Sequence, residues 1–290
     1  MRWEGEQGSG NVEDYRGSGG GGGGGFRLGG GLSIGAIVIA LVGGAIFGIN
    51  PLTILGLLSG GGPAPVQQQQ AHQPPANDKT AQFVSVVLAN TEQVWTQVFA
   101  QGGARYQPPK LALYDGAIRT GCGSGQAAMG PFYCPADQKV YIDLSFYRTL
   151  RERLGAPGEF AQAYVIAHEV GHHVQHLLGI SDRVDQQRAR GSQAQGNAMS
   201  VRLELQADCF AGVWAHHSQE SKGWLDPGDI EAALNAAQKI GDDTLQRSAG
   251  RAVVPESFTH GSSAQRQRWF NTGWQSGSVK SCDTFSAQSL

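Results

Sequence analysis

The 290-residue sequence lacks the charge bias and the paired cysteines that would assign it at once to a class of proteins. Its 22 basic and 24 acidic residues nearly cancel, and the first 31 residues are similarly balanced, so nothing there favours a nucleic-acid partner. None of the four cysteines belongs to a C-x-x-C pair, which argues against a cysteine-based zinc or redox motif.

Charged residues are also missing from Leu28 to Asn77. A membrane helix needs about 20 predominantly apolar residues, and residues 32–58 supply them, so we expect a transmembrane helix there. A buried core helix is the first alternative, but such helices are rarely apolar all round at this length. A cleaved signal peptide is the second, but the stretch begins late and no small-x-small cleavage site closes it.

The distribution of basic residues predicts the orientation of this helix. Three arginines precede it, whereas the first basic residue after it is Lys79, so we expect a cytoplasmic N-terminus and an extracytoplasmic remainder. The expected organisation is a disordered Gly-rich segment over residues 1–31, the membrane region over 32–58, a Pro/Gln/Gly-rich tether over 59–77, and one folded domain over 78–290.

The four cysteines fit an oxidising compartment, where disulfides persist. Three pairings are open. We favour Cys122 with Cys134, which closes a short Gly-rich loop, and Cys209 with Cys282, which attaches the C-terminal tail to an inner helix. The alternative is four free, buried thiols.

Apolar periodicity predicts a mostly helical α+β domain with a small sheet near its start. Strands are expected at 111–114 and 139–143, joined as an irregular hairpin. Asp226, followed by Pro227, is the expected N-cap of one helix. The expected helices cover residues 79–101, 144–154, 159–178, 196–218, 227–241 and 262–276.

The motif with most chemical content is His168-Glu169-Val170-Gly171-His172. Positions i and i+4 share a helix face, so both imidazoles can reach one ion, and Glu169 falls beside it. There Glu169 can take a proton from metal-bound water, whose pKa zinc lowers to about 7. Chance occurrence is the alternative, but unpaired ionisable groups are costly in so apolar a run, and the pattern therefore predicts a zinc hydrolase.

Catalytic zinc takes three protein ligands, so a third must be found. The metzincin motif would place Gly and His where this chain has Gln175 and Leu178, which excludes that group. His173 turns off the ligand face, and His176 lies one turn too far along, about 6 Å from His172.

Glu204 and Asp208 are the better candidates for the third ligand and its support, because they share one face of a second apolar helix. One carboxylate can bind the metal while the other accepts the free N–H of a ligand histidine. An ordinary solvated acidic face is the alternative, and the apolar neighbours of the pair argue against it.

A HExxH helix followed by an E-x-x-x-D helix resembles the gluzincin branch of the zinc metallopeptidases. More closely, the chain resembles the bacterial, membrane-anchored family of neutral zinc metallopeptidases over nearly its whole length. The segments that carry this resemblance are M-R-W-E-G at 1–5, G-P-F-Y-C-P at 130–135 with 141–144, the helix over 163–179, the segment 203–214, and F-T-H-G-S-S at 258–263.

The resemblance implies a one-zinc peptidase of the bacterial inner membrane whose domain is periplasmic or extracellular and acts on proteins or peptides. His168, His172 and Glu204 would bind Zn2+, Glu169 would be the general base, and Asp208 would orient a ligand histidine. The tetrahedral oxyanion needs one more donor, for which His260 or Arg266 is the candidate. For His260 the alternative is an ordinary surface-loop histidine. The alternative is a non-catalytic envelope protein whose zinc is structural and closed by a fourth ligand, with His173, His176 or Asp208 as the residue in question.

Overall fold

The computed structural model describes residues 1–17, 71–127 and 130–290. Their largest sheet has the order β1-β2-β6-β5, and β3 and β4 form a separate two-stranded sheet. β2 pairs parallel with both β1 and β6, and β5 pairs antiparallel with β6. The strands are Val12–Asp14 (β1), Lys110–Tyr114 (β2), Ala117–Thr120 (β3), Gly123–Gln126 (β4), Phe132–Cys134 (β5) and Lys139–Asp143 (β6).

The expected hairpin between residues 111–114 and 139–143 is wrong, because these two strands run parallel. The connecting residues form β3, β4 and β5, so the hairpin partner of β6 is β5. A parallel pair needs a crossover connection, and a sequence pattern that locates strands does not show which neighbours they choose.

Helices form most of the remaining domain, so the α+β prediction is confirmed. They are α1 (Lys79–Gln101), α2 (Ser145–Glu152), α3 (Glu159–Leu177), α4 (Ile180–Arg190), α5 (Gln193–Lys222), α6 (Asp229–Lys239), α7 (Asp242–Ser248) and α8 (Ser263–Ser276). The prediction lacked α4, whose sequence is mostly polar, and the seven-residue α7.

Local sequence explains where the two helices around the site begin. α5 and α8 each start with a capping box, in which a serine hydroxyl accepts from the backbone N–H of a glutamine three residues on, and that glutamine side chain accepts from the serine N–H. The expectation that Asp226 is the N-cap of α6 is wrong, because Gly228 takes that place. The carboxylate of Asp226 instead forms an ion pair with the N-terminal ammonium of Met1, at 3.0 Å.

Glycines allow the helices of the site to approach closely. A Cβ on Gly171 would lie 3.0 Å from the carbonyl oxygen of Ala207, so the glycine within the HExxH motif lets α3 touch the backbone of α5. A Cβ on Gly212 would lie 2.1 Å from the carbonyl oxygen of Phe270, and one on Gly273 would lie 1.9 Å from that of Cys209. α5 therefore packs backbone to backbone against α8.

The N-terminal segment belongs to the folded domain. Val12 is 2% exposed within β1, and Trp3 packs edge-on against Phe83 of α1 with ring centroids 5.4 Å apart. Asp14 is buried and is held by Arg16, whose guanidinium also contacts Asp78 at 2.7 Å. The prediction of disorder over residues 1–31 is therefore wrong for residues 1–17, while residues 18–31 lie outside the described residues.

The residues that flank the segment 18–70 pair with each other on this domain. The backbone N–H of Asp14 donates to the carbonyl oxygen of His72 at 2.9 Å, and the reverse bond has the same length. Both flanks of the predicted membrane region therefore lie on one side of any membrane. The expected cytoplasmic N-terminus with an external domain does not fit this pairing, because the basic-residue rule ignores tertiary contacts.

The predicted membrane helix at 32–58, and residues 59–70 of the predicted tether, lie outside the described residues. In the parts of the chain that the structure does describe, every helix is too short or too polar to cross a bilayer.

Both predicted disulfides are confirmed. Cys122 is bonded to Cys134, and Cys209 is bonded to Cys282. The second bond ties α5 to the C-terminal tail across 73 residues, and closing a loop of that size contributes about 4 kcal/mol in the chain-entropy view.

The packing of residues 1–17 on the domain predicts a labelling result in intact cells. All four native cysteines are in disulfides, so single cysteines introduced as E4C and E152C at exposed positions can be followed alone. A membrane-impermeant maleimide should label both variants or neither, because both positions lie on one side. Labelling of only one position would contradict the pairing of Asp14 with His72.

Candidate metal site and its surroundings

Two helices bring three potential metal ligands together. His168 and His172 project from α3, Glu204 projects from α5, and one ligand atom from each lies within 4.8 Å of the others. Nε2 of His168 is 3.1 Å from one carboxylate oxygen of Glu204, and Nε2 of His172 is 3.4 Å from the other. The i, i+4 spacing of the histidines and the close approach at Gly171 produce this convergence.

Asp208 determines which nitrogen of His168 is free to bind a metal. Its Oδ1 lies 2.8 Å from Nδ1 of His168, and an ionised carboxylate only accepts hydrogen bonds. Nδ1 therefore donates to Asp208, and Nε2 is the nitrogen that faces Glu204. This is the usual second-layer arrangement behind a metal-binding imidazole.

Gln175 likewise determines which nitrogen of His172 is free to bind a metal. Its amide nitrogen donates to the carbonyl oxygen of Leu203 at 2.7 Å, which leaves its amide oxygen 2.8 Å from Nδ1 of His172. The amide oxygen can only accept, so Nδ1 of His172 is the donor and Nε2 is free. The sequence prediction missed this role, although Gln175 lies one turn after His172 on the same helix.

The charges around the three donors favour a bound cation. Burial lowers the pKa of His168, but Asp208 and then Glu204 outweigh it and raise that pKa to about 10. Burial likewise opposes the charge on His172, yet Glu204 raises its pKa. Burial opposes ionisation of Glu204 as well, but His172 holds its pKa well below the usual range. Without a metal, protons supply the positive charge that these donors require, so the residues fit a zinc ion that replaces them.

Asp208 is the centre of a buried network. Arg266 of α8 donates from Nε to Oδ2 at 2.8 Å and from Nη2 to Oδ1 at 2.9 Å, and the hydroxyl of Tyr164 donates to Oδ1 at 2.6 Å. Burial works against its charge, but Arg266 and then His168 lower the pKa of Asp208 to about 2. Its oxygens are thus occupied, which leaves it unsuited to be a fourth metal ligand.

Arg266 does not fit the expected role of oxyanion donor. Its side chain is 3% exposed, and its guanidinium is directed at Asp208 and Tyr164. No sequence signal linked Arg266 to Asp208, because the two lie 58 residues apart. Tyr164 was recoverable, since it precedes His168 by one helical turn.

Glu169 lies beside the ligands on α3 and is 7% exposed. Burial raises its pKa above the ordinary glutamate value, and His168 and His172 only partly offset this. A carboxylate with a raised pKa both accepts and returns a proton more readily near neutral pH.

His260 lies on the loop before α8, with a side chain that is 50% exposed. Its loop is held by Asp242, whose Oδ2 accepts from the backbone N–H groups of Thr259, His260 and Gly261 at 2.8, 2.7 and 3.0 Å. Burial lowers the pKa of His260, but the nearby charges of Glu204 and then Asp242 raise it overall. The imidazolium is therefore favoured next to the site. Asp242 positions the loop of His260, and no local sequence pattern links the two residues.

His173 and His176 lie apart from the three donors, as their helical positions predicted. His173 is fully buried and contacts the carbonyl oxygen of Gln107 at 2.7 Å and the hydroxyl of Tyr133 at 2.9 Å. The ring of His176 packs near that of Tyr133, with centroids 6.3 Å apart.

The site is of the zinc metallopeptidase type. It combines the two histidines of HExxH, a glutamate from the next long helix and an aspartate behind one histidine. The sequence profile of the family described as "Putative neutral zinc metallopeptidase" matches residues 1–285. The chain belongs to this family.

The chain is similar to curated proteins whose names state no function. The chain is 53% identical to "Uncharacterized protein YpfJ" of Escherichia coli over 98% of its own length and 99% of that protein's. It is 48% identical to "Uncharacterized protein Rv2575" of Mycobacterium tuberculosis over 64% of its own length and 65% of that protein's. No solved structure matches the chain.

The contact between Gln175 and His172 predicts an effect on metal affinity. Q175M should weaken zinc binding by roughly 10- to 100-fold, because Nδ1 of His172 loses the acceptor that fixes its tautomer. Q206M is the matched control, since Gln206 touches Gln175 but neither histidine. Equal zinc affinity of Q175M and Q206M in a competition assay with a chromogenic chelator would contradict this role.

Proposed function

We propose that this protein is a zinc-dependent endopeptidase that hydrolyses protein or peptide substrates outside the cytoplasm. The observation that carries the proposal is the convergence of both Nε2 atoms and the Glu204 carboxylate beside Glu169. Family membership supports a peptidase and zinc at the coarse level. His168, His172 and Glu204 are the proposed ligands.

When bound, zinc would supply a Lewis acid and lower the pKa of a coordinated water. Glu169 then accepts the proton of the attacking water and returns it to the leaving amine. Its burial raises the pKa of this carboxyl, which makes it a better base for the first transfer, and His168 and His172 partly offset that rise. Asp208 and Gln175 hold the two imidazoles in the tautomer that leaves Nε2 free.

His260 is the proposed donor to the oxyanion of the tetrahedral intermediate. Its raised pKa favours a charged imidazolium, and the three backbone hydrogen bonds to Asp242 fix the loop that carries it. A preorganised donor aimed at developing negative charge is worth a factor of about 10² to 10³ in kcat.

A structural zinc site in a non-catalytic envelope protein would need four protein ligands. Within residues 1–17, 71–127 and 130–290, the group at this site has three members. Asp208 is occupied by Arg266, and His173 is held by Gln107 and Tyr133. The three-ligand arrangement favours catalysis, which requires an open position.

The two disulfides support a location outside the reducing cytoplasm. Attachment to the bacterial inner membrane through residues 32–58 remains a prediction from the sequence.

Replacement of Glu169 tests the proposed base. E169Q should retain one zinc at this site and lose roughly 10²- to 10⁴-fold in peptide hydrolysis, because the amide cannot accept the proton. E159Q, at an exposed position of the same helix, is the matched control and should keep full activity. The readouts are cleavage of a random peptide library and zinc content; wild-type cleavage by E169Q would overturn the proposal.

A second variant tests His260. H260A should lower kcat by about 10² while leaving KM and zinc affinity nearly unchanged, because the interaction forms mainly in the transition state. The raised pKa of His260 also predicts that activity falls as pH rises through that pKa, when the imidazolium loses its proton. H260A should lack this alkaline decline. An unchanged kcat in H260A would show that the oxyanion is stabilised elsewhere.

A further inference from the structure

A second group of metal-binding side chains lies near the C-terminal end of α5. His216, His217 and Glu220 each contribute one ligand atom, and these atoms lie within 4.8 Å of one another. Nε2 of His216 is 3.3 Å from one oxygen of Glu220, and Nδ1 of His217 is 3.1 Å from the other. The i, i+4 and i, i+3 spacings place both rings against one carboxylate.

Backbone carbonyl groups determine the tautomers of both rings. Nδ1 of His216 lies 2.7 Å from the carbonyl oxygen of Trp274, and Nε2 of His217 lies 2.8 Å from that of Gly277. A carbonyl oxygen only accepts, so each of these nitrogens carries the proton. The remaining nitrogens, Nε2 of His216 and Nδ1 of His217, are the ones that face Glu220.

In neutral rings, these two nitrogens would point lone pairs at carboxylate oxygens. Each nitrogen and the oxygen that it faces would then both be acceptors, so the arrangement needs a positive charge between them. The ring centroids of His216 and His217 are 5.2 Å apart, close to the 4.8 Å between those of His168 and His172 at the first site. A single divalent ion satisfies both lone pairs and the carboxylate together.

We infer that His216, His217 and Glu220 form a second site for a divalent transition-metal ion. Two imidazole nitrogens and one carboxylate suit Zn2+, Ni2+ or Cu2+ rather than Ca2+ or Mg2+, which prefer all-oxygen ligands. Carbonyl groups behind both rings supply the same outer support that Asp208 and Gln175 give the first site. The two carbonyl groups also belong to the C-terminal end of α8, where the helix dipole favours a cation.

Packing against the end of α8 fixes the position of the His216 ring. A Cβ on Gly277 would lie 2.4 Å from Cδ2 of His216, so the ring rests directly against the backbone at the end of α8. An ion held here would tie the end of α5 to the end of α8. At 1.5 Å per residue, His216 lies about 18 Å along α5 from Glu204, which separates this site from the first one.

Calorimetric titration of the metal-free, full-length chain with Zn2+ tests the inference. We expect two zinc ions per chain, with the weaker step at the more exposed second site. E220Q should weaken that step at least 10-fold and leave the tighter step unchanged. Glu220 is 62% exposed, so the variant retains the fold, and E152Q, at a side chain 55% exposed, is the matched control.

H217Q provides an independent variant, since it removes one of the two nitrogen ligands. It should weaken the second step as E220Q does, with the first step again intact. A single zinc per wild-type chain would overturn the inference. A second step that neither E220Q nor H217Q changes would overturn it as well, because the ion would then bind elsewhere.

Discussion

The buried carboxylate of Asp208 is the interaction on which the organisation of the site depends. It is fully inaccessible, and it receives hydrogen bonds from Arg266 of α8 and Tyr164 of α3 while holding Nδ1 of His168. A buried charge without partners would cost several kcal/mol, so these contacts require the three helices to meet in one arrangement. The same contacts fix the tautomer of His168, and in this way the packing of α8 against α5 determines where Nε2 points.

Sequence periodicity predicted those parts of the site that lie on single helices. The i, i+4 rule placed His168 with His172 and Glu204 with Asp208, and the structure brings the two pairs together. Residues that act across helices were not accessible in this way. Arg266 is separated from Asp208 by 58 residues and Asp242 from His260 by 18, and no local pattern encodes either contact. Gln175 and Tyr164 differ, because each lies one turn from a proposed ligand.

The same limit applies to the fold, where contacts between distant segments were not predicted. The positions of β2 and β6, both disulfides and most helices followed from composition and spacing. The pairing of Val12 with Leu111 did not, because three residues near the N-terminus carry too weak a strand signal and a Gly-rich stretch follows them. The basic residues that predicted a cytoplasmic N-terminus include Arg16, which instead pairs with Asp14 and Asp78 on the domain. Charge counting takes no account of such partners.

Zinc at the first site is expected to have three protein ligands and an open fourth position. X-ray absorption and a crystal structure of the E220Q variant loaded with one zinc would show this coordination, since only the first site is then filled. We expect four ligands: Nε2 of His168, Nε2 of His172, a carboxylate oxygen of Glu204 and one water. A fourth protein ligand in place of that water, or zinc bound without Glu204, would contradict it.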